Sequence, residues 1–386
     1  MPKSVFYQSI GPELSRFDID VDGAALTKQD SVTIAGANVQ YVWPHPSKQY
    51  LYVVSSDGGP GTIPGTKHVA TSFRIEPDGR LRFHGPTARL PSRPVHCSVD
   101  RTGKFLLTAY NYPSNITVHR IEPDGTLGDP VPPREKLDVG IFAHQVLTTP
   151  ENKTTIMVTR GNNPEANRPE DPGALKVYGF DNGVLSNIAS IQRGNGLGFG
   201  PRHFDLHPTK PWLFLSVERQ SELHLYRLNG DGTLPRDAAF IKSSLIDRAS
   251  NTHSQMAGAI HIHPNGRFVY MTNRNSGTEE IGGKKVFKGG ENNVAAFSID
   301  PASGEPTLIQ NIEAETIHLR TFAIDPSGRL LIAASILPMT MRDGSTLPAA
   351  LVLYRIGSDG RLRFARKYDV DTGRFMQFWA GIVTLN

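Results

Sequence analysis

Seven segments of this chain open on an aromatic residue or histidine, run as an alternating apolar/polar strand into an Asp/Asn/Gly turn, and close on Leu. They are FDIDVDGAAL (17–26), FRIEPDGRL (73–81), HRIEPDGTL (119–127), YGFDNGVL (178–185), YRLNGDGTL (226–234), FSIDPASGEPTL (297–308) and YRIGSDGRL (354–362). Each is a hairpin signature. Successive copies begin about 56 residues apart, so the seven units account for the whole 386-residue length.

A second repeat interleaves with the first: a strand enters a Pro-x-Gly-like turn and leaves as an apolar strand. It occurs as WPHPSKQYLYVV, SVDRTGKFLLTA, LTTPENKTTIMV, LHPTKPWLFLSV, IHPNGRFVYMTN and IDPSGRLLIAAS, six copies against seven of the first kind. The absent copy is supplied if the C-terminal FMQFWAGIV forms the first strand of a unit whose second strand is the N-terminal SVFYQSIG. The expected fold is therefore an all-β, single-domain seven-bladed β-propeller over 1–386, closed by N- and C-terminal strands that share one blade. Closure of this kind leaves few sheet edges exposed. Length alone suggests two or three domains, but no linker or charge run divides the chain, and the repeat overrides that prior.

The net charge of +4 arises from dispersed Lys and Arg without a clustered basic stripe, which argues against a nucleic-acid partner. The single cysteine, Cys97, excludes an internal disulfide framework and a multi-Cys zinc site. MPKSVFYQSIGPEL lacks an apolar signal core and no uninterrupted apolar run reaches membrane-spanning length, so a cytoplasmic protein without membrane association is expected. The sequence leaves the oligomeric state open.

Aligning the six turns on Pro46, Arg101, Pro150, Pro208, Pro264 and Pro326 gives the blades a common coordinate. The first strand of a blade lines the central channel, and its start meets the end of the second strand at the face opposite the turn. Six residues before the marker stand Gln40, Val95, His144, Arg202, Gly258 and Arg320. Five before stand Tyr41, His96, Gln145, His203, Ala259 and Thr321. Ten after stand Ser56, Asn111, Arg160, Glu218, Arg274 and Ile336. Turn and core positions are similar in every copy, whereas these columns diverge into large polar and ionisable types. Ion-pair networks between blades would account for single members. The set as a whole suits a site for a small anion, because Arg grips carboxylate or phosphate in a bidentate fork and a recessed mouth focuses the field.

Four long segments, 57–68, 161–173, 275–292 and 337–349, all follow second strands and are expected to overhang that same mouth. Lys284, Lys285 and Lys288 lie in the third of them and read as a solvated basic tip. His261 and His263 alternate on one strand and form a possible metal pair, but no third ligand stands at a companion spacing, so no metal site is expected. RGNGLGFGPRH (193–203) precedes an inner strand instead of opening a helix, which excludes a dinucleotide fingerprint. Cys97 beside His96 reads as a buried small hydrophobe, because adjacent strand residues face opposite sides.

GPRHFDLHP followed by LSVER, together with IHIHPNGRFVYMTNR, FAIDPSGR and FAHQVLTTP, resembles the lactonase family of seven-bladed propellers over essentially the whole chain. That family includes propeller-type 6-phosphogluconolactonases and 3-carboxy-cis,cis-muconate lactonizing enzymes. The resemblance implies chemistry without a cofactor or metal on lactone or muconate anions. It also implies an active-site set of His144, Arg202, Glu218 and Arg274; the repeat columns themselves offer His96, Asn111, Arg160, His203 and Arg320 as further substrate-binding candidates. Long insertions after Arg274 and Ile336 depart from the family pattern and bear on substrate identity.

The leading expectation is a hydrolase that opens an anionic lactone of the phosphogluconolactone or muconolactone kind. The alternatives are a carboxymuconate-type cycloisomerase of aromatic degradation and a non-catalytic propeller that presents a binding face. Among several arginines Glu218 is expected to stay ionised, which leaves His144, with an intrinsic pKa of about 6.5, as the proton shuttle at working pH.

Overall fold

Alternation in the repeats becomes strand in every unit, because apolar residues two apart fall on one sheet face and the Asx-Gly turns supply the left-handed backbone that tight hairpins need. The computed structural model describes residues 3–60, 63–250 and 255–386, and seven antiparallel sheets of this kind ring a central channel. From the channel outward, blade 1 is Asn38–Pro44, Tyr50–Ser56, His68–Ile75 and Leu81–Phe83, and blade 2 is Pro94–Val99, Phe105–Asn111, Ser114–Ile121 and Leu127–Pro130. Blade 3 is Ala143–Thr148, Thr154–Thr159, Ala174–Asp181 and Val184–Ile191, and blade 4 is Pro201–Leu206, Trp212–Val217, Glu222–Arg227 and Phe240–Ser243. Blade 5 is Gln255–Ile262, Phe268–Asn275, Asn293–Ile299 and Pro306–Glu313, and blade 6 is Leu319–Ile324, Leu330–Ser335, Ala349–Ile356 and Leu362–Val370.

Blade 7 takes its innermost strand, Gln377–Thr384, from the C-terminus and its other three, Ser4–Ile10, Glu13–Asp20 and Ala25–Thr33, from the N-terminus. Val5 pairs with Val383 and Phe6 with Ile382, so the ring closes through backbone hydrogen bonds as the repeat count requires. The aromatic-to-Leu segments are the hairpins between third and outermost strands. In blade 4 the outer strand begins only at Phe240, beyond the repeat's closing Leu234.

All seven innermost strands break register at one place. Val39 and Tyr41 pair with Ser55 and Val54, which leaves Gln40 as the extra residue of a bulge. Val95, His144, Arg202 and Arg320 are skipped in the same way in blades 2, 3, 4 and 6, and the shift recurs between Ala257 and Ile260 and between Gln8 and Ile10. A bulge sets two residues against one and re-aims a side chain. Arg202 and its neighbour His203 thereby both line the channel, and so do Arg320 and Thr321. Strict alternation would have sent one of each pair away.

The apolar core is distributed around the ring. Among the described residues seven hydrophobic clusters occur, and each joins two adjacent blades, for example Val5, Tyr7 and Leu14 of blade 7 with Val39, Leu51 and Phe73 of blade 1. Cys97 lies in the cluster between blades 1 and 2 and is fully buried, as a small hydrophobe.

Polar latches cross the same interfaces. The Tyr52 hydroxyl donates to the Gly125 carbonyl at 3.0 Å, and Tyr270 donates to Gly360 at 2.9 Å. The imidazoles of His45, His207 and His263 contact the turn carbonyls of Gly103, Gly266 and Gly328 in the next blade, at 2.8, 2.9 and 2.8 Å through Nε2. Gly328 has φ +72°, and a Cβ there would lie 2.4 Å from the His263 ring, so both the backbone conformation and the latch demand glycine. Tyr270→Phe leaves the Gly360 carbonyl without its donor and is expected to lower unfolding free energy by about 1–2 kcal/mol in equilibrium urea denaturation. An unchanged midpoint would show that the latch contributes nothing.

Candidate functional site

Glu218 follows the second strand of blade 4 and is 2% exposed. Its backbone is fixed on two sides: the N–H donates to Gly200 O at 2.7 Å, and the carbonyl accepts from Ala257 N at 2.9 Å at the entry to blade 5. Its carboxylate is shared by three arginines from three blades. Oε2 accepts from Arg160 Nη1 at 2.8 Å, while Oε1 faces Arg202 Nε at 3.1 Å and accepts from Arg274 Nη2. Each arginine is braced a second time. Arg160 stacks on Phe142 with 4.1 Å between guanidinium carbon and ring centroid, Arg202 Nη1 lies 3.3 Å from His203 Nδ1, and Arg274 Nη1 lies 3.2 Å from His318 Nε2.

Burial alone would raise the Glu218 carboxyl, but attraction to Arg160, Arg274 and Arg202 outweighs it and holds the group well below the usual carboxylate range. Glu218 is thus ionised, as expected from its neighbours. Burial and the repulsion of Arg274 bring Arg202 down to about 9, since one carboxylate does not neutralise three guanidinium groups. His144 departs from expectation. Burial, reinforced by Arg202, Arg320, Arg160 and Arg274, pushes its imidazole well below the ordinary histidine value, so it is neutral at working pH instead of poised near it. His96, His203 and His318 are pushed down in the same direction, each chiefly by burial.

The channel encloses a cavity of about 260 Å³ bounded by the innermost strands of all seven blades. His144, Arg202, His203 and Arg320 supply its polar wall, and Tyr41, Trp43, Phe322, Phe378 and Trp379 are among its aromatic wall residues. Arg160, Glu218 and Arg274 are not part of that wall; they brace Arg202 from outside it. Of the remaining candidates, His96 is fully buried with its ring 4.0 Å from that of Tyr41, and neither ring nitrogen has a hydrogen-bond partner among the described residues. Asn111 is buried and accepts from Arg93 Nη1 at 3.5 Å.

Two further residues stand outside the positions six and five before and ten after the turn marker, Arg93 and His318. Both stand eight residues before their turn markers, as does Phe142, the platform under Arg160. Phe142 and His318 have φ of +60° and +61°, a strained conformation for such residues that concentrates at functional sites. That column carried the same divergent residue types as the others and was the available signal.

His261 and His263 do not converge. His261 Nδ1 faces Asp205 at 3.7 Å in the channel, whereas His263 is taken by its latch to Gly328. Among the described residues no group of three or more His, Cys, Asp or Glu is placed to hold a metal ion. The segments 161–173, 275–292 and 337–349 connect second to third strands, and the last two carry small hairpins, Thr278–Ile281 with Lys284–Phe287 and Met339–Thr340 with Thr346–Leu347. Arg342 ties these hairpins together through Glu279 at 2.5 Å. Lys284, Lys285 and Lys288 are exposed. In 57–68, residues 61 and 62 lie outside the described residues.

The chain matches the protein family described as "Lactonase, 7-bladed beta-propeller" over residues 6–336. Among curated relatives it is 25% identical over 328 residues to a 6-phosphogluconolactonase of Bacillus subtilis, with 83% of each chain covered. It is 28% identical to a 6-phosphogluconolactonase of Pectobacterium atrosepticum, with 80% of each covered. A periplasmic gluconolactonase of Pseudomonas aeruginosa superposes with a TM-score of 0.75 over 99% of both chains at 18% identity, a likeness of fold.

The depressed groups dictate an acid-sensitive fold. A histidine whose folded pKa lies below its unfolded value of about 6.5 contributes stability that is fully present above 6.5 and lost as pH falls below it. Glu218 contributes above about 4.5, and that share is lost as pH falls toward its folded value. The histidine and Glu218 contributions should therefore be constant between about pH 7 and 8 and decline on acidification. His96→Phe, which keeps a ring against Tyr41, should flatten the slope between pH 5 and 6.5 by up to about one proton in denaturation measured at several pH values. An unaltered slope would show that His96 does not titrate with unfolding.

Proposed function

This chain belongs to the lactonase family of seven-bladed β-propellers and is a lactone hydrolase, and we propose that it opens a sugar lactone carrying negative charge, of the 6-phosphogluconolactone kind. The single observation that carries this reading is the Glu218 carboxylate held by Arg160, Arg202 and Arg274 beside a neutral His144. The names of the curated relatives support hydrolysis and not the cycloisomerase alternative.

Ring opening places negative charge on the carbonyl oxygen as water adds, and the ring oxygen must leave with a proton. Arg202, in the cavity wall, is already oriented by Glu218, which Arg160 and Arg274 hold in turn, so it meets the developing oxyanion without reorganising, which is the condition under which such a donor acts most strongly. Glu218, kept ionised, cannot donate the proton; its part is to hold the arginines. His144 lines the cavity, and its neutral ring can accept a proton from the attacking water and return it to the ring oxygen. A bound anion offsets the arginine repulsion that depresses His144, which strengthens it as a base when substrate is present.

Assay on 6-phosphoglucono-1,5-lactone tests the proposal directly. Arg202→Ala removes the donor in the cavity wall, leaves Arg160 and Arg274 on Glu218, and is expected to lower kcat by at least about 100-fold with the far-ultraviolet spectrum unchanged. In the pH–rate profile the acid inflection of kcat/KM, which reports the free enzyme, should lie below 6.5, and that of kcat should lie higher. His144→Ala should abolish both inflections, whereas Glu218→Gln should depress the rate at every pH without moving them. Exchange of those two outcomes would exchange the two roles.

A further inference from the structure

Two arginines beside the cavity-wall residue Phe378 have no carboxylate partner among the described residues. Arg93 precedes the first strand of blade 2 and is 3% exposed; Arg320 is the bulge residue of blade 6. Both lie over the Phe378 ring of blade 7, with guanidinium carbons 5.5 and 3.7 Å from its centroid. Among the described residues their polar contacts are few: Arg93 Nη1 reaches Asn111 Oδ1 at 3.5 Å, Arg320 Nε reaches Phe378 O at 3.1 Å, and buried Arg93 Nε has no partner. Among the described residues neither makes an ion pair. Burial alone brings Arg93 down to about 10, and burial together with Arg202, Arg274 and Arg93 pushes Arg320 down.

A buried guanidinium without a counter-charge is costly, and this fold supplies one where an arginine only braces structure, as Glu170 does for Arg219. The Arg93–Arg320 pair is also separate in composition from the Glu218 cluster, in which Arg160, Arg202 and Arg274 are already engaged. We infer that Arg93, Arg320 and Asn111 form a second anion subsite beside Phe378, which receives the phosphate at the end of the substrate remote from the lactone carbonyl.

Two guanidinium groups over one ring fit the several oxygens of a phosphate monoester, and an amide adds a neutral donor. The cation–π contacts hold both planes in place before the ligand arrives. Selectivity for a phosphorylated over an unphosphorylated lactone then resides in blades 2, 6 and 7, and ring opening in blades 3, 4 and 5. This assignment rests on the lactonase reading for its substrate, though not for its ligand chemistry.

The test compares Arg93→Met and Arg93→Lys with the native protein on 6-phosphoglucono-1,5-lactone and glucono-1,5-lactone. Arg93→Met should lower kcat/KM for the phosphorylated substrate at least about tenfold more than for the neutral one, mainly through KM, and Arg93→Lys should restore part of the ratio. Without ligand Arg93→Met should melt no lower than the native protein, since an uncompensated buried charge is removed, and the stabilisation by inorganic phosphate should be lost. An unmoved selectivity ratio, or a phosphate stabilisation retained in full, overturns the subsite. If the native protein opens neither lactone but is stabilised by phosphate through Arg93, the lactonase reading fails and the anion site stands.

Discussion

Everything at the centre of this molecule depends on the antiparallel pairing of Ser4–Ile10 with Gln377–Thr384. Without it blade 7 would be split and blades 1 and 6 would each lose a partner face, together with the hydrophobic clusters of Val5, Val39 and Trp379 on one side and Phe6, Leu330 and Ala380 on the other. The cavity wall draws on all seven blades, from Tyr41 in blade 1 to Phe378 in blade 7. Distances across it are therefore set by packing between blades, and no local segment fixes any of them. Latches such as Tyr52 on Gly125 and His207 on Gly266 add direction to that packing, since a hydrogen bond fixes the rotation of one blade against the next where apolar contact alone does not.

Within the closed ring, electrostatic design turns on imbalance. One buried carboxylate, Glu218, orients three guanidinium groups and cannot neutralise them, and Arg93 and Arg320 receive no carboxylate at all. The free protein bears the cost of concentrated positive charge in depressed histidines and arginines. An anion removes that cost on binding, so affinity for the substrate and strain in its absence are two aspects of the same charge distribution. The rigid ladder of each blade keeps the arginines from relaxing away into solvent.

The bulge that recurs in all seven innermost strands converts scaffold into site. A regular strand offers the channel every second residue, and the bulge adds one more at the end nearest the mouth. In blade 2 the added residue is Val95; in blades 3, 4 and 6 it is His144, Arg202 or Arg320. The same backbone device thus carries either an inert or a reactive side chain, which leaves chemistry free to vary on a constant frame.

Two repeats with seven and six copies were enough to establish a propeller and the blade shared by the termini, because hairpin turn chemistry and strand alternation are local and each copy declares them independently. Placing His144, Arg202, Glu218 and Arg274 at one mouth also followed from the repeat coordinate, since equivalent positions in a ring lie at equivalent depth. The bulges, the sharing of Glu218, the involvement of Arg93 and His318, and the depressed state of His144 were decided only by tertiary structure. A register shift leaves no mark in an apolar/polar pattern, and a pKa depends on desolvation and on charges brought from other blades. Sequence determined which residues share a level of the channel; the packing of the blades decided which of them touch and what charge they carry.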